Sequence, residues 1–588
     1  MSQRIHRIGA VAVLAISFGV YLKTVAPTLS FWDCGEFIAC SYSLGIPHPP
    51  GSPLYLLLGR LFTFLPIGVD PAFPVNLMSV ITSALAVMLV YLITVRLIVL
   101  AAAEPEGGGA DWGRDLPALV GGITAALMMA FSDTFWFNAV EAEVYGFSML
   151  LMALSVWLGL RWMDRARQPG NSRLLYFVAY LMGLAGGLHL LCLLAVPTLA
   201  VLIWFRDRSA LKDPKLWAIT PLLFALGYST YIALMIRSGL DPAIDENNPE
   251  NWSNFVMFLS RVQYGTESML LSVFDRRAPF WDYQIGSMYL KYFLAQFPVP
   301  VLGFVSEAFR KATEPEVLRI QVSIVPYLLG FWGMWLHWSR DGRRFWAMLV
   351  LFALTGFGLS VYLNMPDPQP RERDYAFVGS FAVFAIWIGV AASGAVEWVR
   401  NRRIVPLTLG LSAVLLGMPL SLVAVQYHTH DRTGSYVAYD YGHNILASCE
   451  QDAILMTNGD NDTFPLWFLQ EVMGFRRDVR VVNLSLLNTS WYVKQLRDVQ
   501  PTLPIHYSDD YIDRVLTAFT RSAVVKSGRL WREDREVTAA GISWTIPASP
   551  RGILRIQDVM VLKLIDWNNW ERPFYFATTV PEQNLLNL

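Results

Sequence analysis

Two carboxylates three residues apart, Asp33 and Glu36, stand near the start of the chain in Phe31-Trp-Asp-Cys-Gly-Glu-Phe37. On a helix that spacing puts both on one face. The aromatic neighbours would lower the local dielectric and tune a carboxylate toward general-base work. The alternative is structural: Asp33 caps a short helix, and the aromatics belong to the belt at a membrane surface. A second acidic pair, Glu141 and Glu143, occurs in Asn138-Ala-Val-Glu-Ala-Glu-Val-Tyr145, with no Lys or Arg between 133 and 145. It suits a substrate hydroxyl or a cation, or it supplies negative charge to a helix N-terminus. Arg371 and Arg373 lie in Asn364-Met-Pro-Asp-Pro-Gln-Pro-Arg-Glu-Arg-Asp-Tyr375. Guanidinium groups bind phosphate through paired, charge-assisted hydrogen bonds. A loop-bracing network with Glu372 and Asp374 is the plainer reading.

Other polar clusters say less. Asp460 and Asp462 fall between a strand and a helix, where they could hold sugar or a divalent ion. The segment is too short for a calcium loop of about twelve residues, and Asx-turn or N-cap duty accounts for it. His189 reads as a satisfied histidine, and His428-Thr-His430-Asp431 as an interfacial stem more than a metal site. Cys34, Cys40, Cys192 and Cys449 form neither a disulfide framework nor a CxxC zinc motif. No metal or other cofactor is called for, although a divalent cation is compatible with the acidic groups. GxSxG, P-loop and GxGxxG patterns are absent.

The elements that must position these groups are mostly apolar. Of 588 residues 54% are hydrophobic and 16% charged, against about 25% charged in soluble domains. The deficit is uneven: 58 of the first 426 residues are charged, but 35 of the last 162. A net charge of −1 without a basic tract excludes a nucleic-acid partner. A hydrocarbon core needs about 20 apolar residues per helix. Runs near 8–26, 76–100, 117–133, 145–160, 174–187, 190–205, 217–236, 318–338, 345–363, 375–398 and 404–426 predict about eleven transmembrane helices. Arg4 and Arg7 flank the first run without a small-residue cleavage site, so it is expected to be retained.

Lys and Arg stay on the cytoplasmic side of short loops. With the N-terminus inside, the inner loops carry Arg161, Arg165, Arg167 and Arg173, then Arg206, Arg208, Lys212 and Lys215. Arg340, Arg343 and Arg344, then Arg400, Arg402 and Arg403, follow the same rule. The segment 285–305 is apolar enough for a further span, but Lys291, Gln296, Pro298 and Pro300 fit an interfacial helix better. Residues 1–426 therefore read as an integral membrane domain. Residues 427–588 read as an outer α/β domain, with strands at 453–457 and 478–485 around a helix at 463–474 and further elements at 556–565 and 574–578. In a bacterium-like cell this means the inner membrane, with the second domain in the periplasm.

Asp33, Glu141 and Arg371 all fall on the outer side with the α/β domain. A lipid-linked phosphate at headgroup depth would explain arginines there, whereas a transporter would put its costly residues near the midplane.

Three stretches are more specific. They are FWDCGEF with GIPHPPGSPLY at 31–55, NMPDPQPRERDYAFVGSF at 364–381, and NGDNDTFPLWFLQEV with DVRVVNLSLLN at 458–488. Together they resemble a family of multi-pass proteins, once known only as a domain of unknown function, whose animal members are protein O-mannosyltransferases. The resemblance implies the GT-C superfamily, a polyprenyl-phosphate sugar donor, and an acidic residue of the first outer loop at or near the catalytic base. It also implies that helical repeats follow Leu588 in a longer native chain.

The resulting expectation is a membrane glycosyltransferase that moves a mannose-like monosaccharide to Ser or Thr hydroxyls of exported proteins, with inversion. Asp33 would be the base, with Glu36 supporting it. His48, Arg371 and Arg373 would receive the donor phosphate, and Glu141, Glu143 and Asn364 would hold sugar or acceptor. Transfer to a lipid or polysaccharide, and lipid or polysaccharide transport, are the rival readings.

Overall fold

The computed structural model describes residues 2–101, 112–166, 168, 170–261, 275–299, 303–305, 321–516, 533–548 and 555–585. Among them, seven helices are long and apolar enough to cross a membrane: Arg4–Thr24, Ala72–Ala101, Tyr145–Asp164, Pro214–Ser238, Gly342–Leu363, Asp374–Arg400 and Val405–His430. An eighth span results if Asp115–Ala130 and Asp133–Ala139, bent by 67°, count as one. The chain is thus a helical polytopic membrane protein with seven to eight candidate spans. Three of the eleven apolar runs appear as shorter helices: Ser172–Gly186, Leu190–Arg206 and Ile324–Arg340. At about 1.5 Å per residue, even 17 residues reach only about 25 Å.

Val378–Arg400 is buried along nearly its whole length and packs between Trp112–Ala130 and Ile324–Arg340. Close approach explains its small residues. A Cβ on Gly389 would lie 2.3 Å from the Gly121 carbonyl oxygen, and one on Gly121 would lie 2.5 Å from that of Gly389. Without a hydrophobic drive between helices in lipid, such backbone contact supplies the packing.

The two ends of the bundle differ in chemistry. At one end Arg96 pairs with Asp164, Arg340 with Glu397 at 2.7 Å, and Arg206 Nε donates to the Met163 carbonyl. At the other end the Trp136 indole donates to Thr24 Oγ1 at 3.0 Å, and Ala26 N–H to the Val140 carbonyl at 2.9 Å. The Asn76 amide ties the Ala26 and Thr28 carbonyls, and Arg432 N–H reaches the Thr24 carbonyl. The outer loops and the chain leaving Val405–His430 therefore meet at one end.

The segment read as an interfacial helix is helical over Phe280–Ala295, and its residues 300–302 lie outside the described ones. Gln284 Nε2 donates to Asn364 Oδ1 at 2.7 Å, and Gln296 Nε2 to Thr134 Oγ1 at 2.8 Å. The segment is thus tied to Asn364 near one end and to Thr134 near the other. The loop between the spans Trp112–Ala130 and Tyr145–Asp164 carries a short helix, Asp133–Ala139.

Beyond His430 stands a small parallel sheet in the order Arg480–Asn483, Ile454–Thr457, Phe574–Phe576. The central strand is buried throughout, as its uninterrupted apolar run demands. Helices Asp460–Glu471, Ser490–Asp498 and Ile556–Asn568 accompany the sheet, and Arg535–Ala539 pairs with Ile542–Ile546 as a hairpin. The α/β pattern expected at 453–485 is present, with the helix starting three residues early, at Asp460.

Candidate active site

Asp33 occupies the N-cap position of Cys34–Ser43, yet its side chain makes no capping bond. It turns instead toward Arg371, whose Nη1 lies 3.4 Å from Asp33 Oδ2. Asp33 keeps 15% of its side chain exposed, so a substrate can reach it. Arg371 is held between two rings, 5.1 Å from the Trp32 centroid and 4.6 Å from that of Tyr375, an arrangement favourable for a guanidinium. Its Nε donates to Tyr375 Oη at 3.2 Å, and Arg373 Nη1 donates to the same oxygen at 2.8 Å. Arg373 Nε is tethered to Gln369 Oε1. Burial works against the Arg371 charge, but Asp33, Tyr375, Glu143 and Tyr145 together outweigh it and raise its pKa.

Glu36 does not share a target with Asp33. Fully buried, it binds His48 twice: Oε1 accepts the backbone N–H at 2.9 Å, and Oε2 lies 2.5 Å from Nδ1. Burial pulls the imidazole pKa down, yet the Glu36 carboxylate prevails and lifts it to about 10. His48 is therefore an imidazolium at neutral pH. The i, i+3 spacing predicts both carboxylates on one helix face, but the cap position turns Asp33 away toward Arg371.

Glu141 and Glu143 line the inner wall. Burial raises Glu141 to about 7, held back by Arg432 and Ser30, and burial with Asp33 nearby raises Glu143 well above the usual carboxylate range. Glu143 Oε2 has no hydrogen-bond partner among the described residues. Cys34 Sγ and one oxygen from each glutamate lie within 4.8 Å of one another, which makes this trio the place where a divalent cation would be held. The ring of Tyr145, just beyond, stacks on Tyr375 with centroids 4.4 Å apart.

Asn364 lies elsewhere. It ends the helix Leu359–Leu363 in the left-handed region at φ 44°, donates to the Asp275 carbonyl, and accepts from Arg277 N–H and Gln284. It braces the segment at 275–284.

The α/β unit forms the remaining wall. Trp32 adopts φ 63°, a costly conformation for a bulky residue, and its N–H donates to Asn461 Oδ1 at 2.7 Å. A Cβ on Gly35 would lie 2.8 Å from the Phe464 carbonyl oxygen, so only glycine lets the two helices approach this closely. Asp460 stands close enough to Asp33, Glu36, His48 and Arg371 to feel their charges. Asp462 is structural, accepting from Tyr441 Oη at 2.8 Å and from Asn458 N–H. Sequence reading missed Trp32, Tyr375 and Asn461 as site residues. The one available signal was their place inside the three specific stretches.

The N-terminal boundary of a family match coincides with this geometry. Residues 33–212 match the protein O-mannosyl-transferase TMEM260 N-terminal domain, and residues 438–515 and 512–588 match TMEM260-associated domain 2. The chain belongs to the TMEM260 family. Protein O-mannosyl-transferase tmem260 of Dictyostelium discoideum is 22% identical over 523 residues, covering 82% of this chain and 58% of its own length. Protein O-mannosyl-transferase TMEM260 of Mus musculus is 26% identical over 522 residues, covering 85% and 66%. The chain thus spans about three fifths to two thirds of these TMEM260 relatives.

Among solved structures, ArnT from Cupriavidus metallidurans bound to undecaprenyl phosphate aligns with a TM-score of 0.41 and 12% identity, over 84% of this chain and 91% of its own. The Archaeoglobus fulgidus oligosaccharyltransferase complex with zinc and sulfate aligns at 0.42 and 10%, over 91% and 72%. Asp33, Glu36, His48, Glu141 and Glu143 all lie within the N-terminal match.

Proposed function

We propose that this chain is a GT-C-type membrane glycosyltransferase. It moves a mannose-like monosaccharide from a polyprenyl-phosphate donor to Ser or Thr hydroxyls of exported proteins. The observation that carries this reading is a reachable carboxylate, Asp33, beside a guanidinium, Arg371, in a recess of outer loops. A neutral hydroxyl attacks poorly, so a base must take its proton as the new bond forms. In this reading Asp33 accepts that proton while the acceptor oxygen bonds to the anomeric carbon. The bond from that carbon to the phosphate oxygen breaks, and the configuration inverts. Polyprenyl phosphate leaves with its charge received by Arg371 and by the His48 imidazolium, with Arg373 behind Tyr375 adding field. Glu141 and Glu143 hold sugar or acceptor hydroxyls. The reaction needs no metal, and Cys34, Glu141 and Glu143 are the residues that would bind one.

One feature supports a lipid-linked donor: Arg371 and Arg373 lie at the end of the bundle away from the ion pairs of Arg96 and Arg340. The family relatives named as protein O-mannosyl-transferases favour a protein acceptor over a lipid or polysaccharide.

The test compares exported proteins from cells with and without the gene. A hexose-sized mass increment on Ser or Thr peptides, present only with the gene, is the expected result. Its absence across the exported fraction would overturn the reading. Orientation is tested separately, because the proposal puts the N-terminus in the cytoplasm and the α/β domain in the periplasm. A reporter fused after Asp431 should be active only when exported, and activity confined to the cytoplasm would put the site on the wrong side.

A further inference from the structure

A second recess lies outside the constellation around Asp33. The α/β unit meets the loop at 243–246 across a cleft of about 220 Å³, whose lining includes Asp245, Trp467, Glu471, Arg480, Trp491 and Gln495. One wall is the loop itself, which lies against Ile46: Ile46 N–H donates to the Ile244 carbonyl at 2.8 Å, and Glu246 N–H to the Ile46 carbonyl at 3.0 Å. The other wall is the edge strand Arg480–Asn483 with the helix Ser490–Asp498. Gln495 Nε2 donates across to the Ala243 carbonyl at 3.1 Å.

Three lining residues carry a buried polar atom without a hydrogen-bond partner among the described residues: Asp245 Oδ1, Arg480 Nε and Trp491 Nε1. Arg480 spends its Nη atoms on the Gln495 and Gln500 carbonyls, leaving Nε over. Buried polar groups are nearly always paired, and each left unpaired is costly. Three in one cleft indicate partners that arrive with a ligand.

The chemistry of that ligand follows from the inventory. It must accept from two N–H donors and donate to one carboxylate, while offering an apolar face to indole rings. An anion is disfavoured, since Asp245, Glu246 and Glu471 outnumber Arg477 and Arg480 along the lining. The volume equals about seven waters at ~30 Å³ each, enough for one sugar ring and too small for a helix or a folded segment. We propose that this cleft binds one neutral hexose unit of a saccharide, with Arg480 and Trp491 donating to its oxygens and Asp245 accepting from a hydroxyl. The proposal is independent of the reaction at Asp33.

The test uses the purified full chain in nanodiscs and saturation-transfer NMR with methyl mannoside, glucoside and galactoside. Binding of at least one is expected, weakened about tenfold or more by both Asp245→Asn and Trp491→Phe and unchanged in Asp33→Asn. Trp491→Phe removes the N–H while keeping an aromatic ring, and melting curves establish that each variant is folded. No binding by any hexoside overturns the proposal. So does binding that persists in both folded cleft variants, or that disappears in Asp33→Asn. Competition by a mannosylated peptide identifies the source as glycan on a protein, and competition by free hexose alone identifies a soluble saccharide. Equal competition by the unmodified peptide makes the cleft a peptide site and overturns the proposal.

Discussion

Asp33→Asn is expected to abolish sugar transfer while donor binding is largely retained. Asparagine keeps the size of the side chain and part of its hydrogen bonding, but it cannot take a proton. Loss of general-base assistance costs about 10²–10⁴ in rate. The variant should fold, because the Asp33 side chain makes no capping bond and pairs, among the described residues, with Arg371. Glu36→Gln should behave differently. It breaks a buried pair with His48, a kind of loss that costs about 3–5 kcal/mol, so its first symptom is a lower melting temperature. Purified Asp33→Asn that transfers sugar near the parental rate would make Asp33 a strut and move the search for the base to Glu141 or Glu143.

Arg371→Ala should weaken donor binding by about 10–100-fold, the range expected from losing charge-assisted hydrogen bonds to a phosphate. Arg371→Lys keeps the charge but not the fork that sits between Trp32 and Tyr375, and it should recover only part of the affinity. Arg373→Ala should do less, because Arg373 reaches the site through Tyr375 and is tethered to Gln369. Titrating a polyprenyl-phosphate analogue into folded, inserted variants measures all three. Unchanged affinity in a stable Arg371→Ala would assign that residue to bracing the outer loops.

Much of the site was legible because ionisable residues are expensive in so apolar a chain. Asp33, Glu141, Glu143 and Arg371 stood out for that reason, and the fold does gather them. The partnerships were not legible. Glu36 finds His48 twelve residues on, and Trp32 finds Asn461 in the α/β unit 429 residues away. No local pattern encodes either closure. Asn364 was not legible in the same way: its left-handed backbone ends a helix, and its three hydrogen bonds tie it to the segment at 275–284. The sequence suggests eleven spans, and among the described residues seven to eight helices are long and apolar enough to cross. Apolar runs of 15–17 residues are well-formed helices in a bundle, where neighbours or a tilted membrane surface can cover them, and run length alone does not distinguish them from full crossings.

The Trp32–Asn461 bond and the Gly35–Phe464 contact bear on how such a chain can change over generations. Its α/β unit cannot be traded for an unrelated module, as appended binding domains often are, because the segment carrying Asp33 is moulded on that unit. A substitution at Asn461 is felt at Trp32, and one at Gly35 is felt at Phe464, so the two parts must drift in step. Descendants that lose the α/β unit are expected to lose the shape of the segment around Asp33 with it.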